Sequence, residues 1–387
     1  MLNRVLPYLA DYGITRIADL TYLDRLGLPV HTAYKPMGLS LSSGSGKGLT
    51  AVQRRLGAAM EAIEQTYWET TTLTTIHGSR IDLERMGLVA VDGDDLVRPL
   101  GSIWSEHLPI HWTPMYDLVS GNEVWVPCES VMCGTRPGME GFSFLGVFTS
   151  RSNGLASGFH VADALVAGLT EVLERDGVTI AKVTRSESVD TDELVARVGG
   201  DVAPYVEHLT SHGVRLGLTD ATSEAELPTY IATLWDLEDP RIGTFSGYGT
   251  GFDEHRALVR AITEAVQSRG LISAGARDDH YAIDRRAARR LISCAVPSTN
   301  STKKATTHIG MAPTDSIAAL EVLLAAAARC ECPQVLVMRY SSPGDPAQVV
   351  RVVVPGLEGY KFPSYSPGSR ARAALARLEN ASMEARP

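Results

Sequence analysis

Strand-like and helix-like patterns of apolar side chains alternate along the chain. Residues 1–30 predict a short helix followed by a strand, and further strands are predicted at 39–43, 124–127, 334–338 and 349–354. Helical spacing predicts long helices at 50–69, 161–177, 253–269 and 316–329, and shorter ones at 191–198 and 205–212. Because strands and helices alternate, the sequence favours an α/β fold with mixed sheets and packed helices.

Three segments of the chain share one layout. Each has a glycine-containing break followed by a helix, and the last glycine lies 13 positions before a glutamate (48 to 61, 158 to 171 and 251 to 264). Each helix then reads Glu-x-x-Glu or Glu-x-x-Gln. A spacing of about 100 residues between copies is too long for a solenoid repeat. The pattern therefore predicts a strand–glycine turn–helix unit that is used three times in one body.

The polar side chains of these helices share one face of each helix. At about 100° per residue, the pairs that lie side by side are Glu61 with Glu64, Glu171 with Glu174, and Glu264 with Gln267. Most other positions are small or apolar, so we expect buried helices, in which a carboxylate needs a partner. Carboxylate oxygens are ligands that Mg²⁺ prefers. A solvated surface pair is the alternative for any single helix.

Composition and charge argue against a nucleic-acid-binding, secreted or membrane protein. The chain has 387 residues and a net charge of −9, whereas a nucleic-acid-binding protein usually carries a basic face. The first residues lack the apolar core of a signal peptide, and Glu321 interrupts the longest apolar run. We therefore expect a cytoplasmic protein with no nucleic-acid or membrane partner. The five cysteines match no zinc site and are expected to be reduced structural thiols: Cys128, Cys133, Cys294, Cys330 and Cys332.

The glycine-rich stretch 44–48 invites comparison with an ATP-binding P-loop. A P-loop needs glycine, four residues and then Gly-Lys-Ser/Thr. Here Leu41 stands where the first glycine would be, and Gly48 replaces the hydroxyl residue that would hold Mg²⁺. The sequence thus predicts no P-loop. A glycine turn before a helix can still bind an anion through its backbone N–H groups, and Lys47 either assists this binding or belongs to a tight turn only.

Taken together, the three segments resemble the signatures of the YcaO-domain family. The first comprises residues 45–48 and 60–64, the second 152–158 and 168–176, and the third 260–269. Residues 352–358 and 365–371 resemble the family's C-terminal part, so the resemblance covers nearly the whole chain. It implies a YcaO fold that binds ATP without a P-loop. It also implies one catalytic domain over 1–387, with a short lead at 1–30 and a tail at 370–387.

The resemblance further implies which side chains hold the cofactors ATP and Mg²⁺. In the family, signature glutamates hold Mg²⁺ ions against the triphosphate, and in this chain they are Glu61, Glu64, Glu171 and Glu174. The residues expected beside the nucleotide are Lys47, Asp163, Arg175, Glu264, Gln267 and Arg269. The general base stays unassigned. Three residues depart from the family pattern: Gly57 replaces a usual serine, Phe159 a usual asparagine and Asp163 a usual glutamate.

The family's reaction defines the expected function. There, ATP phosphorylates an amide oxygen, a nucleophile adds to the same carbon, and phosphate leaves. We expect this chain to modify a backbone amide of a precursor peptide and to give an azoline or a macrocyclic amidine. Two alternatives stay open: backbone thioamide formation with a TfuA-type partner protein, and a catalytically inactive scaffold that binds a peptide. The chain is similar to stand-alone members from pathways for ribosomally made, modified peptides, and we expect a homodimer.

Overall fold

The computed structural model describes residues 2–133, 146–149, 151–276, 304–308, 312–359 and 365–384. The contacts within the chain divide it into two compact units. The first unit comprises Met1–Gln65, Arg185–Thr222 and Glu226–Ala312, and the second comprises Thr66–Thr184, Ser223–Ala225 and Pro313–Pro387. The prediction of a single catalytic domain over 1–387 stays a prediction. Among the residues named above, Cys294 lies outside the described part of the chain.

Strands and helices alternate in the described residues, which confirms the predicted α/β class. The strands are β1 Arg16–Asp19, β2 His31–Tyr34, β3 Ser43–Gly46, β4 Ile76–Gly78, β5 Arg98–Pro99, β6 Ile110–Asp117, β7 Glu123–Pro127, β8 Leu155–Gly158, β9 Val214–Asp220, β10 Thr229–Asp236, β11 Thr244–Thr250, β12 Leu336–Arg339, β13 Gln348–Val353 and β14 Tyr365–Ser366. The helices are α1 Leu2–Val5, α2 Ala51–Thr70, α3 Arg80–Arg85, α4 Cys128–Val131, α5 Val161–Val183, α6 Thr191–Val198, α7 Val202–Ser211, α8 Glu254–Ser273, α9 Ser316–Arg329 and α10 Ser369–Glu384.

The first unit contains two three-stranded antiparallel sheets. Their strand orders are β1-β2-β3 and β9-β10-β11. Helix α2 follows β3 along the chain, and α8 follows β11 and packs against β10 and β11. The fully buried side chains of this core include Leu218, Tyr230, Leu234 and Leu258. This core fixes the strand–helix pair β11–α8, which carries the third predicted segment.

The second unit is built on a six-stranded antiparallel sheet. Its order is β4-β6-β12-β13-β8, and β7 pairs with β6 beside this path. Helix α5 packs against β8 and β13, and α9 and α10 pack against α5. Trp112 is fully buried in the core of β4, β6 and β7, where its Nε1 donates to the Gly78 carbonyl at 2.9 Å. The sheet therefore supports α5, which carries the second predicted segment.

The glycine runs differ from the turns that the sequence predicts. Gly44 and Gly46 lie inside β3, and Gly247 and Gly249 lie inside β11. A Cβ added at Gly46 would lie 1.7 Å from the carbonyl oxygen of Arg54 in α2. At Gly247 it would lie 2.1 Å from the backbone nitrogen of Ala265 in α8. These glycines are therefore needed because strand and helix backbones touch, and only later residues of each run form the turn.

Helix bounds agree with the sequence to within one residue for α2, α6 and α9, whereas α7 begins at Val202 instead of 205 and α8 ends at Ser273 instead of 269. The helices predicted at 191–198 and 316–329 are observed as Thr191–Val198 and Ser316–Arg329. The helix predicted to end at 177 continues to Val183. The added turns contain β-branched residues that disfavour a helix, but Val178 and Thr179 are buried, and tertiary packing outweighs the weak local preference.

The described cysteines are buried. None of the four, Cys128, Cys133, Cys330 and Cys332, forms a disulfide bond in the described part of the chain. Burial, together with the nearby charge of Glu129, raises the pKa of Cys128 to about 12. Its thiol is therefore protonated and a poor nucleophile near neutral pH. None of the helices in the described ranges has the length and apolar character needed to cross a membrane.

Candidate functional site

The first segment brings its glutamates close to β3. Helix α2 places Glu61 and Glu64 on one face, and both side chains are half-buried. The Ser45 backbone N–H donates to Glu61 Oε2 at 2.5 Å. A Cβ added at Gly57 would lie 3.3 Å from the Gly46 Cα, so a larger residue there would crowd β3. The close approach of β3 and α2 thus brings the Glu61 carboxylate against the strand.

An ion pair joins the first and third segments within the first unit. Lys47, just after β3, pairs through Nζ with the carboxylate of Glu264 in α8. Both side chains are mostly buried. Gln267, one turn further along α8, is half-buried. The structure therefore brings together two of the residues predicted to lie beside the nucleotide. Lys47 directly follows the glycine-containing strand β3, and Glu264 lies on α8, which packs against the glycine-containing strand β11.

Arg269 of α8 is buried in a different ion-pair network of the first unit. Its Nε donates to Asp24 Oδ2 at 2.6 Å, its Nη2 donates to Asp24 Oδ1 at 3.0 Å, and Nη1 lies 2.9 Å from Asp236 Oδ2. Arg25 also pairs with Asp236, at 2.6 Å. Burial would raise the pKa of Asp236, but hydrogen bonds from Asp239 and Arg25 and the Arg269 charge lower it on balance. The contacts of Arg269 support the fold, and its assignment to the nucleotide stays a prediction.

The second segment places its predicted ligands on α5. Glu174 is buried, with 2% of its surface exposed, and Glu171 is half-buried. Arg175 Nη2 lies 3.7 Å from Glu171 Oε1, one helical turn away. In β13 of the same unit, burial lowers the pKa of the Arg351 guanidinium, while the nearby Tyr340 and the negative charge of Glu171 act in the opposite direction. Cationic groups therefore act on the Glu171 carboxylate from its own helix and from the sheet.

Asp163 makes structural contacts at the ends of two helices. Its Oδ2 accepts the backbone N–H of His160 at 3.2 Å and thereby caps the start of α5. Its Oδ1 accepts the hydroxyl of Ser316, the first residue of α9, at 2.5 Å. Both carboxylate oxygens thus stabilise helix ends in the second unit. The assignment of Asp163 to the nucleotide stays a prediction.

The chemistry of the glutamate pairs fits Mg²⁺. Within the residues that the structure describes, no group of three or more His, Cys, Asp or Glu side chains is arranged to hold a metal ion. Magnesium commonly uses one or two carboxylates and completes its shell with water and phosphate oxygens. A pair such as Glu61 with Glu64, or Glu171 with Glu174, supplies two such carboxylates. The first pair belongs to the first unit and the second pair to the second, so the predicted four-glutamate site stays a prediction.

Sequence reasoning missed two buried arginines near the predicted residues. Arg54, in the first turn of α2, donates from Nη1 to the Gly48 carbonyl at 2.9 Å and so holds the turn that follows Lys47. Arg351 donates from Nη2 to the Ser130 carbonyl at 2.8 Å. A charge inside the apolar run 349–354 was a detectable signal for Arg351. Arg54 gave no such signal, because an arginine near the start of a helix is ordinary.

A protein-family model matches most of the chain. The family model described as YcaO cyclodehydratase, ATP- and Mg²⁺-binding, matches residues 45–358. This range includes every predicted ligand of ATP and Mg²⁺, from Lys47 to Arg269. The predicted cofactors are therefore those of the matching family.

Curated relatives match over most of their length. An uncharacterized protein in the tfuA 3′ region of Rhizobium leguminosarum bv. trifolii is 32% identical over 91% of this chain and 85% of its own. An uncharacterized protein of Methanothermobacter thermautotrophicus is 33% identical over 70% of this chain and 69% of its own.

Solved structures with low sequence identity share the fold. A heterocyclase in complex with substrate and cofactor has a TM-score of 0.75 at 18% identity, and the match covers 98% of this chain and 55% of that one. The YcaO of Methanopyrus kandleri, bound with AMPPCP and Mg²⁺, has a TM-score of 0.70 at 20% identity, and the match covers 93% of this chain and 90% of that one. Both likenesses confirm the predicted fold.

Proposed function

Because the chain belongs to the YcaO family, we propose that it uses ATP and Mg²⁺ to activate a backbone amide of a peptide substrate. The observation that carries this proposal is the family match over residues 45–358, which contains all three glycine–helix segments. The contacts of Glu61, Lys47 and Glu264 support it, because they hold charged groups of two segments against glycine-containing strands. The activity belongs to the class of ATP-dependent peptide-modifying enzymes.

The chemistry explains why charged residues are needed. ATP supplies the phosphoryl group that turns the amide oxygen into a good leaving group, and Mg²⁺ neutralises the phosphate charge. We assign each glutamate pair, Glu61 with Glu64 and Glu171 with Glu174, to holding Mg²⁺, and Lys47 and Arg175 to orienting phosphate oxygens. A base must accept the proton of the nucleophile that adds to the amide carbon. The amide oxygen then leaves with the phosphate, so ring formation removes one water overall.

Two kinds of product fit this activation. An attack by a side chain or an amine of the same peptide gives an azoline or a macrocyclic amidine, our first assignment. An external sulfide would give a backbone thioamide, with a TfuA-type protein as partner. The relative in the tfuA 3′ region of Rhizobium leguminosarum bv. trifolii favours this second candidate. We further expect a homodimer in the cytoplasm, which light scattering and fractionation would test.

Mass spectrometry of a candidate precursor peptide tests the function directly. Incubation with the protein, ATP and Mg²⁺ should remove one water from the peptide if an azoline or amidine forms. Replacement of oxygen by sulfur would identify thioamide formation, and it should require sulfide and the TfuA-type protein. Binding of ATP–Mg²⁺ is measured in parallel by calorimetry. A protein that binds a peptide but no ATP–Mg²⁺ would be a scaffold, and the proposed activity would be wrong.

Glutamine variants test the metal assignment. Glu61→Gln and Glu174→Gln should abolish turnover while the circular dichroism spectrum stays unchanged, because an amide oxygen is a weaker Mg²⁺ ligand than a carboxylate. Glu84→Gln is the control, since Glu84 is half-exposed on α3 and pairs with Arg80. Full activity in both site variants would contradict the assignment of these carboxylates.

A further inference from the structure

The helix that carries the second segment also carries a buried acid that the proposed mechanism does not use. Asp176 lies five positions after Glu171 in α5, and none of its surface is exposed. At about 100° per residue, it lies about 160° around the helix axis from Glu174 and about 140° from Glu171. A carboxylate in such a place needs a charged partner and hydrogen bonds.

That partner comes from the C-terminal helix of the same unit. Arg370, the second residue of α10, donates from Nε to Asp176 Oδ1 at 3.0 Å and from Nη2 to Asp176 Oδ2 at 2.9 Å. Its Nη1 donates to the Cys330 carbonyl at 2.9 Å, and Nη2 also reaches Glu224 Oε2 at 2.8 Å. A bidentate ion pair of this kind fixes both the orientation and the distance of Arg370 relative to Asp176, because the guanidinium is planar.

A second acidic residue, Glu358, connects the start of α10 to Asp176 through hydrogen bonds. Glu358 is buried, and its backbone N–H donates to Asp176 Oδ1 at 3.0 Å. Its own carboxylate accepts the backbone N–H groups of Gly368 at 3.0 Å and Ala371 at 2.8 Å. A Cβ at residue 368 would lie 2.7 Å from Glu358 Oε1, so the glycine allows this close contact. Asp176 is therefore where two C-terminal segments meet α5.

We propose that Arg370 is a positioning residue for the helix that carries Glu171, Glu174 and Arg175, and that it acts through Asp176. A rotation or slide of α5 would break the paired contacts of Arg370 and the hydrogen bond from Glu358. The C-terminal segments thereby hold the face of α5 on which the predicted ligands lie. The inference rests on the proposed function, because it assigns these ligands to ATP and Mg²⁺.

Two measurements on the full chain test this role. Arg370→Met should weaken ATP–Mg²⁺ binding, measured by calorimetry, by about 10-fold, the lower end of the effect of removing a group bonded directly to a metal ligand, because Arg370 acts through Asp176. Without nucleotide, hydrogen exchange of the amides of residues 171–176 should be faster than in the wild type. Arg370→Lys keeps the charge but loses the planar pair of donors, so both effects should be intermediate. If Arg370→Met does not fold, Arg370→Lys and Glu358→Gln are judged by the same two measurements.

Arg377→Met is the matched control. Arg377 lies two turns further along α10, is largely exposed, and pairs with Glu224 but not with Asp176. It should match the wild type in binding and exchange. A folded Arg370→Met protein that binds ATP–Mg²⁺ normally and keeps slow exchange in α5 would overturn the inference, even if its melting temperature falls. A wild type that binds no ATP–Mg²⁺ would instead contradict the proposed function, and the exchange measurement would still decide the role of Arg370.

Discussion

Helices α8 and α5 occupy the same place in the repeated layout, but different parts of the chain hold them. Arg269 lies five positions after Glu264 in α8, and Asp176 lies five positions after Glu171 in α5. Each is buried and paired, Arg269 with two aspartates and Asp176 with Arg370. The sign of the charge is reversed between the two helices. In α8 and α5 this position therefore holds a buried, ion-paired residue, whereas the equivalent residue of α2 is the uncharged Thr66.

The two units also differ in which contacts hold their predicted ATP and Mg²⁺ ligands in place. In the first unit, the predicted residues of the first and third segments support one another through Lys47 and Glu264. In the second unit, the predicted residues lie on one helix, and Arg370 of the C-terminal helix holds that helix from another side. The first unit therefore depends on contacts between its own glycine–helix segments. The second depends on a segment that carries none of the predicted ligands.

The largest expected effect comes from breaking the ion pair of the first unit. Arg269→Met leaves Asp236 buried, with Arg25 as its remaining arginine partner, and should lower the free energy of unfolding of this unit by about 3–5 kcal/mol. Urea denaturation measures the change. The control is Arg256→Met, since Arg256 is exposed on the same helix and should be almost neutral. If the free energy of unfolding falls by less than about 1 kcal/mol, Arg269 does not stabilise α8. Its predicted role beside the nucleotide would then be the better explanation of its position.

The next effect concerns the glycines at the strand–helix contacts. Gly46→Ala places a methyl group against the α2 backbone and should cost about 1–3 kcal/mol or more, because a backbone cannot move aside cheaply. Gly158→Ala, whose Cβ would lie 2.6 Å from the Ala164 nitrogen, should cost less than Gly46→Ala. The melting temperatures of the two variants, measured by thermal unfolding, show which substitution costs more stability. Gly344→Ala is the control, since a Cβ there meets no atom within 4 Å; equal melting temperatures in all three variants would contradict the proposed contacts.

Helix capping gives a smaller test of the difference between α5 and α8. Asp163→Ala removes the cap of α5 together with the bond from Ser316, whereas Asp253→Ala removes only the cap of α8, a bond of 2.7 Å from the Arg256 N–H. Each cap should be worth about 1 kcal/mol, so the first variant should lose more stability than the second. Chemical denaturation compares them. The reverse order would show that the contact between Asp163 and Ser316 contributes nothing measurable.

The smallest effect is the response to acid and salt. Hydrogen bonds and arginine charges outweigh burial and lower the pKa of both Asp236 and Glu224 in the folded protein. Each carboxylate therefore stabilises the fold above its ordinary pKa, and this contribution is lost as the pH falls below about 4. Added salt should reduce the contribution of the half-exposed Glu224 and leave that of the buried Asp236 largely unchanged. Stability curves of Asp236→Asn and Glu224→Gln against pH, at two salt concentrations, check this, and equal salt sensitivity would contradict it.

The sequence by itself determined the α/β class, the approximate positions of the longer helices and the three glycine–helix segments, because these depend on the spacing of residues close together in the chain. The same spacing predicted the glutamate pairs, and the family resemblance predicted that these pairs bind Mg²⁺.

Only the tertiary structure decided what Arg269, Asp163 and the strand glycines do. Arg269 meets Asp24 across 245 residues, and Asp176 meets Arg370 across 194. Local spacing carries no information about such partners, because the energy of a buried charge depends on which distant groups the fold brings beside it.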